Sequence, residues 1–180
     1  MNNKFDRFKI NNFVNKNIHI VAAMPSLGKS TYSEKSLANH NSTIKAIDLE
    51  SSDYKWNIEN GEKVLNPDFP NNYIESILLI PEISPEVNVV FVACHSEVRL
   101  LLDEIGLDYT IVVPSLDRKD ELLRKCRERG NDEIFIKKYD ENYESWITKL
   151  KDTKERHRVI ELGRYQFIDE PFMNRYFFQR

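Results

Sequence analysis

The chain has 180 residues, of which 41% are apolar and 31% are charged, and its formal net charge is −3. This length and apolar share fit one α/β domain with a single buried sheet, residues 1–180, and leave no room for a second full domain. The small negative charge excludes the global basic field that drives non-specific binding to nucleic acid, whereas a local basic groove stays open.

The segment 1–16 is polar and lacks the apolar core of a signal peptide, so we interpret it as an N-terminal extension of the domain. No apolar run reaches the roughly 18 residues of a membrane span. We therefore expect a cytoplasmic protein with no membrane partner. Two cysteines, Cys94 and Cys126, match neither a disulfide framework nor a metal spacing and are predicted to be reduced thiols.

Apolar stretches alternate with amphipathic ones, which is the pattern of a mainly parallel sheet with helices on both faces. The predicted strands are residues 17–23, 44–49, 87–94, 109–114 and 158–162. The predicted helices are residues 29–39, 72–80, 96–105, 117–129 and 142–151, with a short docking helix after Asp169. Residues 53–71 have little periodicity and contain Gly61, Pro67 and Pro70, so we expect a long acceptor-side excursion there.

The first predicted strand runs directly into Ala23-Met24-Pro25-Ser26-Leu27-Gly28-Lys29-Ser30-Thr31. This segment fits the phosphate-loop pattern G-x-x-x-x-G-K-[ST] except at its first position, where Ala23 replaces glycine. Ala23 keeps a small side chain at the strand exit but loses easy access to positive φ. The strand before the loop and the helix after it predict a site for a nucleoside triphosphate, with ATP and Mg²⁺ as the cofactors.

Each part of the loop has a predicted role. Successive backbone N–H groups would form an anion nest at the start of the helix. Lys29 would reach the β- and γ-phosphates as a catalytic cation, Ser30 would ligate Mg²⁺, and Thr31 would contact the α-phosphate. The predicted cofactor-binding residues are Pro25, Ser26, Leu27, Gly28, Lys29, Ser30 and Thr31.

Asp48 ends the second predicted strand, and ligands of open parallel sheets bind beyond the carboxyl ends of the strands. A βαβ unit would bring this residue beside the phosphate loop. Its carboxylate would then accept the proton of an attacking hydroxyl, or hold Mg²⁺ through water. The alternative is a turn or cap carboxylate, because Ser51, Ser52 and Asp53 favour turns, and the same alternatives apply to Glu50.

Polar residues after the second and third strands form the predicted acceptor side. Tyr54 and Trp56 would stack on a base or else pack as ordinary aromatics. His95 and Arg99 would bind the acceptor, or serve as a hydrogen-bonded strand-end histidine and a surface arginine. The predicted acceptor-binding residues are Glu50, Ser51, Tyr54, His95, Ser96 and Arg99.

Residues 117–132 are rich in arginine, and we expect an arginine lid there that closes on the phosphates. Arg127 and Arg129 are the favoured catalytic contacts, with Arg124 next. The alternative is a solvated helix with ion pairs such as Asp120 with Arg124.

Four segments, residues 23–31, 48–56, 66–73 and 128–132, together resemble a family of kinases. The family comprises the small P-loop nucleoside and nucleotide kinases of phages and bacteria, often labelled adenylate kinase or nucleoside monophosphate kinase and related to polynucleotide kinase. The resemblance spans residues 17–162 and implies a three-layer P-loop kinase fold with a five-stranded sheet. In the phage polynucleotide kinase an aspartate after the second strand is the base toward a sugar hydroxyl, and Asp48 holds a similar position.

We therefore expect a phosphotransferase of nucleotide metabolism that moves the γ-phosphate of ATP to a nucleoside or (deoxy)nucleoside monophosphate. The alternative acceptor is a hydroxyl in nucleic acid, either a polynucleotide 5′-end or a hydroxymethylated base in DNA. A further alternative is a nucleotide-binding regulator without catalysis, which Ala23 alone favours. The sequence leaves the acceptor and the oligomeric state open.

Overall fold

The structure, a computed structural model, describes residues 5–154 and 156–178. The strands are β1 (His19–Ala23), β2 (Ala46–Asp48), β3 (Trp56–Glu59), β4 (Glu62–Leu65), β5 (Val89–Val92), β6 (Tyr109–Pro114) and β7 (Arg158–Leu162). The α-helices are α1 (Arg7–Asn15), α2 (Lys29–Ala38), α3 (Ser52–Lys55), α4 (Asn71–Ile83), α5 (Ser96–Glu104), α6 (Lys119–Glu128), α7 (Glu133–Lys151) and α8 (Glu170–Met173). A 3₁₀ turn at Leu116–Arg118 precedes α6, and a π-helical turn at Asn174–Phe178 follows α8.

Five strands form the central sheet in the order β2-β5-β1-β6-β7, and each neighbouring pair is parallel. The three middle strands are apolar runs in which Val21, Val90 and Val112 are fully buried. Such runs are typical of parallel sheets that are covered on both faces. Flanking helices confirm the predicted α/β class and are compatible with three layers. The sheet is wholly parallel rather than mainly parallel.

The second strand of the sheet does not lie beside the first, as a simple βαβ unit would place it. Instead β5 pairs with both β1 and β2, so β2 forms an edge. Helix α2 packs against β2 and bridges this gap. The chain leaves β1 toward β2 but leaves β6 toward β7, so the loops that follow these neighbouring strands diverge and open a crevice.

Two segments for which no helix or strand was predicted contain secondary structure. The segment 1–16 includes α1, which Asp6 caps by accepting a 2.8 Å hydrogen bond from the N–H of Phe8, while residues 1–4 lie outside the described part. Helix α1 buries Phe13 and packs on α4. Residues 53–71 contain the antiparallel hairpin β3–β4. Its turn has Asn60 at φ 52° and Gly61 at φ 83°, the two positive angles that a tight Asn-Gly hairpin turn requires.

Helix α7 begins nine residues before its predicted start, at Glu133 rather than residue 142. Asp132 caps it by accepting a 2.7 Å hydrogen bond from the N–H of Phe135. Buried side chains at helical spacing extend through the added turns, from Ile136 to Leu150. The predicted short helix after Asp169 is confirmed as α8. Within residues 5–154 and 156–178, no helix is both long and apolar enough to cross a bilayer.

Candidate functional site

A cleft of about 1840 Å³ lies at the carboxyl ends of the parallel strands. Its walls are the loop between β1 and α2, the residues that follow β2 and β5, the α6–α7 junction and the segment before α8. These are the places where an open parallel sheet binds ligands. The cleft therefore collects most of the polar residues that the sequence analysis selected.

The β1–α2 loop, residues 24–28, turns sharply. Ser26 has φ 64° and Gly28 has φ 100°, both in the left-handed region. Ala23 needs no such angle because it is still part of β1, where it pairs with Val112. The replacement of the first glycine of the motif by alanine is therefore compatible with this backbone.

Packing from distant parts of the chain fixes the loop. The carbonyl of Leu27 accepts a 2.8 Å hydrogen bond from the N–H of Ile168. A Cβ atom on Gly28 would lie 3.1 Å from the carbonyl oxygen of Ile168, which explains the glycine at this position. On the other side, the Ser26 hydroxyl lies 3.2 Å from the thiol of Cys126 in α6.

Lys29 begins α2 and folds back toward the end of β1. Its ammonium group donates to the carbonyl oxygens of Ala23 at 3.3 Å and Met24 at 3.4 Å. Its side chain lines the cleft. These two weak, long hydrogen bonds hold a cation at the mouth of the loop, and no carboxylate of the described residues forms an ion pair with it.

Ser30 and Asp48 join the loop to the edge strand. The Ser30 hydroxyl donates a 2.7 Å hydrogen bond to Oδ2 of Asp48. The other carboxylate oxygen, Oδ1, is buried and has no hydrogen-bond partner within residues 5–154 and 156–178. A buried unpartnered carboxylate oxygen is costly, so a turn of the carboxylate toward a ligand or a water would be favourable. Asp48 itself is only half-buried, and it lines the cleft.

The residues after β2 and β5 form the opposite wall. Tyr73 of α4 donates a 2.6 Å hydrogen bond to the carbonyl of Leu49 and accepts one of 3.3 Å from the N–H of Ala93. The phenol thus ties the two strand ends together. The Ser51 hydroxyl lies 3.2 Å from Nε2 of His95. Both of these polar side chains line the cleft.

Burial and neighbouring charges shift the pKa values of two residues in this wall, His95 and Glu97. Burial, followed by the nearby Lys55, lowers the pKa of His95, although Glu97 opposes the shift. His95 is therefore neutral at pH 7. Burial also raises the pKa of Glu97, but hydrogen bonds from its own backbone and from Lys55 outweigh it and lower the pKa overall. Glu97 accordingly forms a 3.1 Å ion pair with Lys55.

Most of the predicted site residues meet in the cleft, and four do not line it. Leu27 is fully buried and offers only its backbone. Tyr54 packs on Tyr73 with ring centres 5.1 Å apart, as the alternative interpretation proposed. Arg124 and Arg127 are exposed on α6, and Arg124 lies 3.6 Å from Glu128. The predicted residues in the lining are Pro25, Ser26, Gly28, Lys29, Ser30, Thr31, Asp48, Glu50, Ser51, His95, Ser96, Arg99 and Arg129.

Most of the arginine-rich segment 117–132 is helix α6, which packs on the core. Leu122, Leu123 and Cys126 are buried beneath it. Arg118, its first arginine, is fully buried and forms two hydrogen bonds with Glu121, at 3.0 and 2.9 Å. Of the three arginines predicted to contact phosphate, only Arg129 lines the cleft.

Several cleft residues escaped the sequence analysis. Phe167 lies between two cations, 4.8 Å from Arg118 and 4.7 Å from Lys125. Lys125, Lys138 and Phe167 all line the cleft. Lys125 lies on the same helix as the predicted Arg124 and Arg127, so helical spacing in the sequence was a signal that could have identified it. The position of Phe167 depends on a long loop whose path the sequence does not encode locally.

The oxygen donors of Ser30 and Asp48 are hard ligands of the kind that Mg²⁺ prefers. Among residues 5–154 and 156–178, no group of three or more His, Cys, Asp or Glu side chains is arranged to hold a metal ion. Mg²⁺ commonly takes one or two protein oxygens and completes its shell with phosphates and water. The donor set at the loop fits that mode.

Comparison with known proteins gives little beyond backbone similarity. No family model matches the chain, and no curated protein matches its sequence. One solved structure with a partly similar backbone is an uncharacterized protein from Eubacterium ventriosum ATCC 27560, with a TM-score of 0.39 and 14% identity. The match covers 83% of this chain and 91% of that chain. This similarity assigns no binding property or activity to this chain.

Proposed function

We propose that this protein is a P-loop kinase that moves the γ-phosphate of ATP to a nucleoside or (deoxy)nucleoside monophosphate. The observation that carries the proposal is the 2.7 Å hydrogen bond between Ser30 and Asp48 at the start of α2. It supports the proposal because a hydroxyl that suits Mg²⁺ and a carboxylate that suits a general base lie next to each other in the cleft.

The start of α2 supports phosphate binding. Gly28 caps this helix without a side-chain hydrogen bond, so it leaves the first-turn N–H groups to other acceptors. Phosphate oxygens suit these donors, and the helix dipole favours their charge. Lys29, whose side chain donates to the backbone carbonyls of Ala23 and Met24, adds a cation in the same place.

Mg²⁺ would be held by the Ser30 hydroxyl, with Asp48 contributing directly or through water. Bound there with the nucleotide, the ion would supply neutralisation of the charge on the phosphates. The two side chains already lie within hydrogen-bond distance, so little rearrangement is needed to share one ligand. Because Oδ1 of Asp48 is buried, the carboxylate would have to turn for this oxygen to reach the acceptor.

With a nucleoside acceptor, the proposed reaction requires Asp48 to receive one proton. The acceptor hydroxyl attacks the γ-phosphorus, a new oxygen–phosphorus bond forms, and the bond to the oxygen of the β-phosphate breaks. The hydroxyl proton passes to the Asp48 carboxylate, and ADP leaves with the electron pair of the broken bond. With a nucleoside monophosphate, an ionised phosphate oxygen attacks the γ-phosphorus instead, so no proton is transferred and Asp48 would act only through Mg²⁺. Lys29 stabilises the charge that moves toward the β-phosphate.

The charge of the cleft favours a small acceptor. Basic side chains such as Lys63 and Lys138 are interspersed with acidic ones such as Glu50 and Asp132. A groove that tracks a nucleic-acid backbone would be mainly basic. A free nucleotide needs only local positive charge, so this distribution supports it over a polymer.

One acceptor screen tests the proposal. The protein is incubated with Mg²⁺ and γ-labelled ATP, together with a panel of nucleosides and nucleoside monophosphates or with single- and double-stranded DNA. We expect label on a nucleoside or nucleotide product that is separated from ATP and free phosphate, and no such product with Lys29→Ala. Label on DNA alone would establish the nucleic-acid alternative. Tight ATP binding with no transfer to any acceptor would favour a non-catalytic regulator and overturn the proposal.

A further inference from the structure

The hairpin β3–β4 presents an apolar face that its own fold does not cover. Its register pairs Trp56 with Leu65 and Ile58 with Lys63, so these four side chains share one face. Their apolar members are exposed by 38% at Trp56, 67% at Ile58 and 55% at Leu65. A two-stranded hairpin is marginally stable alone, and an exposed apolar face on it points to an interaction.

The root of the hairpin is fixed to the rest of the domain. The N–H of Asn66 donates a 2.8 Å hydrogen bond to the carbonyl of Lys55. The side-chain amides of Asn66 and Asn72 both donate to the carbonyl of Tyr54, at 3.1 and 2.9 Å. The hairpin therefore holds a defined position relative to α4 and to the strand that ends at Asp48.

Part of the exposed face borders the cleft that contains Asp48. Trp56 and Lys63, which belong to this face, both line that cleft. The ammonium of Lys55 lies 6.0 Å from the centre of the Trp56 ring, and Glu97 holds it there through a 3.1 Å ion pair. An aromatic surface bordered by cations is complementary to a nucleobase that carries a phosphate.

We infer that the face formed by Trp56, Ile58, Lys63 and Leu65 is the binding platform for the base of the acceptor, a free nucleoside monophosphate. The base stacks on Trp56, and Lys63 lies on the same face to meet the phosphate. The inference rests on the proposed kinase function and names the subsite that the acceptor occupies. The mixed charge of the cleft argues for a free nucleotide rather than a strand.

Binding without ATP tests this subsite separately from catalysis. Equilibrium dialysis measures the affinity for dAMP, dGMP, dCMP and dTMP, and tryptophan fluorescence is followed in the wild type and in Trp56→Phe. We expect at least one nucleotide to quench the fluorescence of Trp56. The difference between the two proteins isolates Trp56 from Trp146, which also lines the cleft.

Substitutions measure the contribution of the stack. Trp56→Ala should weaken binding of that nucleotide at least about five-fold, because stacking on an aromatic is worth about 1–3 kcal/mol per base. Trp56→Phe, which keeps a ring, should stay within about three-fold. Val64→Ala is the matched control, because Val64 pairs with Asn57 on the opposite face of the hairpin. ATP affinity should be unchanged in all three proteins, which also reports that they are folded.

The outcomes separate the two proposals. Phosphoryl transfer with an acceptor KM that Trp56→Ala leaves unchanged would overturn the hairpin inference and leave the kinase proposal standing. Nucleotide quenching of Trp56 without any transfer would support the platform and reject the kinase. Quenching by a single-stranded oligothymidylate but by none of the four nucleotides, or no quenching at all, would overturn the inference.

Discussion

Ser30 and Asp48 are joined by a 2.7 Å hydrogen bond although the strands that lead to them are not neighbours in the sheet. The contact exists because α2 crosses over β5 and packs on β2. Ser33, one turn further along α2, reinforces it by donating a 3.0 Å hydrogen bond to the carbonyl of Ala46 and accepting one of 3.2 Å from the N–H of Asp48. Helix α2 therefore fixes the position of the edge strand β2 relative to the β1–α2 loop.

With a nucleoside as the acceptor, Asp48→Asn should lower kcat by about 10²-fold or more, the usual contribution of a positioned general base. ATP binding should survive, because the asparagine side chain can still accept the hydrogen bond from Ser30. The measurement is steady-state phosphoryl transfer together with ATP affinity by calorimetry. Asp53→Asn is the matched control, since Asp53 is exposed and does not line the cleft. Full activity of Asp48→Asn would remove the base assigned here.

Gly28→Ala should destabilise the fold and weaken ATP binding. The residue has φ +100°, and a Cβ there would lie 3.1 Å from the carbonyl oxygen of Ile168. Gly106→Ala is the control for backbone strain alone, because Gly106 has φ +75° with nothing within 4 Å of a Cβ. Each variant should lose about 1 kcal/mol from the positive φ. A melting temperature no lower for Gly28→Ala than for Gly106→Ala would contradict the proposed contact.

The parts of the fold that follow a simple period were predictable from the sequence. The strand Tyr109–Pro114 and the strand Arg158–Leu162 have the predicted bounds. The first is a run of apolar and β-branched residues, and the second has apolar residues at Val159, Ile160 and Leu162. The loop residues and Asp48 were also identified, since the motif and the rule for strand ends are local signals. Because the strands are parallel, their carboxyl ends lie at the same edge of the sheet, and the residues that follow them line one cleft.

What the sequence could not predict depends on distant packing. Strand order was one such property, because nothing local in β2 shows that β5 separates it from β1. The hairpin was another such property. Its Asn60-Gly61 pair is a turn signal, but the flanking strands are short and half of their residues are polar, so the sequence around it showed little periodicity. The burial of Arg118 was a third such property. Its charge favoured a surface position, and only the fold supplies the acceptors that permit burial.

Arg118→Met should destabilise the protein by about 3 kcal/mol, because it leaves Glu121 near the core without its partner. The arginine also donates a 2.7 Å hydrogen bond to the carbonyl of Gln166, next to the segment that covers Gly28. Urea unfolding measures the loss. The control is Arg124→Met, which removes an exposed pair with Glu128 and should cost less than about 1 kcal/mol. An equal loss of unfolding free energy in the two variants would show that the buried pair Arg118–Glu121 contributes no more to stability than the exposed pair Arg124–Glu128.

His19 should make the protein less stable as the pH falls below about 6.5. Burial, followed by the charge of Arg158, lowers the pKa of His19 from its usual 6.5. The unfolded chain therefore binds a proton at a pH where the folded protein does not, and the free energy of unfolding decreases with falling pH until the folded-state pKa is reached. Above that window both states are neutral at this residue, so it contributes no slope.

The measurement is urea unfolding at several pH values between 7.5 and 5 for the wild type and His19→Gln. His19 packs edge-on against Phe177 and Phe178, with ring centres 5.5 and 5.3 Å away, so the variant should also lose some stability at every pH. The informative quantity is therefore the slope, which should be shallower in His19→Gln than in the wild type. His40→Gln, at an exposed histidine, should keep the wild-type slope. A slope in His19→Gln as steep as in the wild type would show that other groups carry the pH dependence.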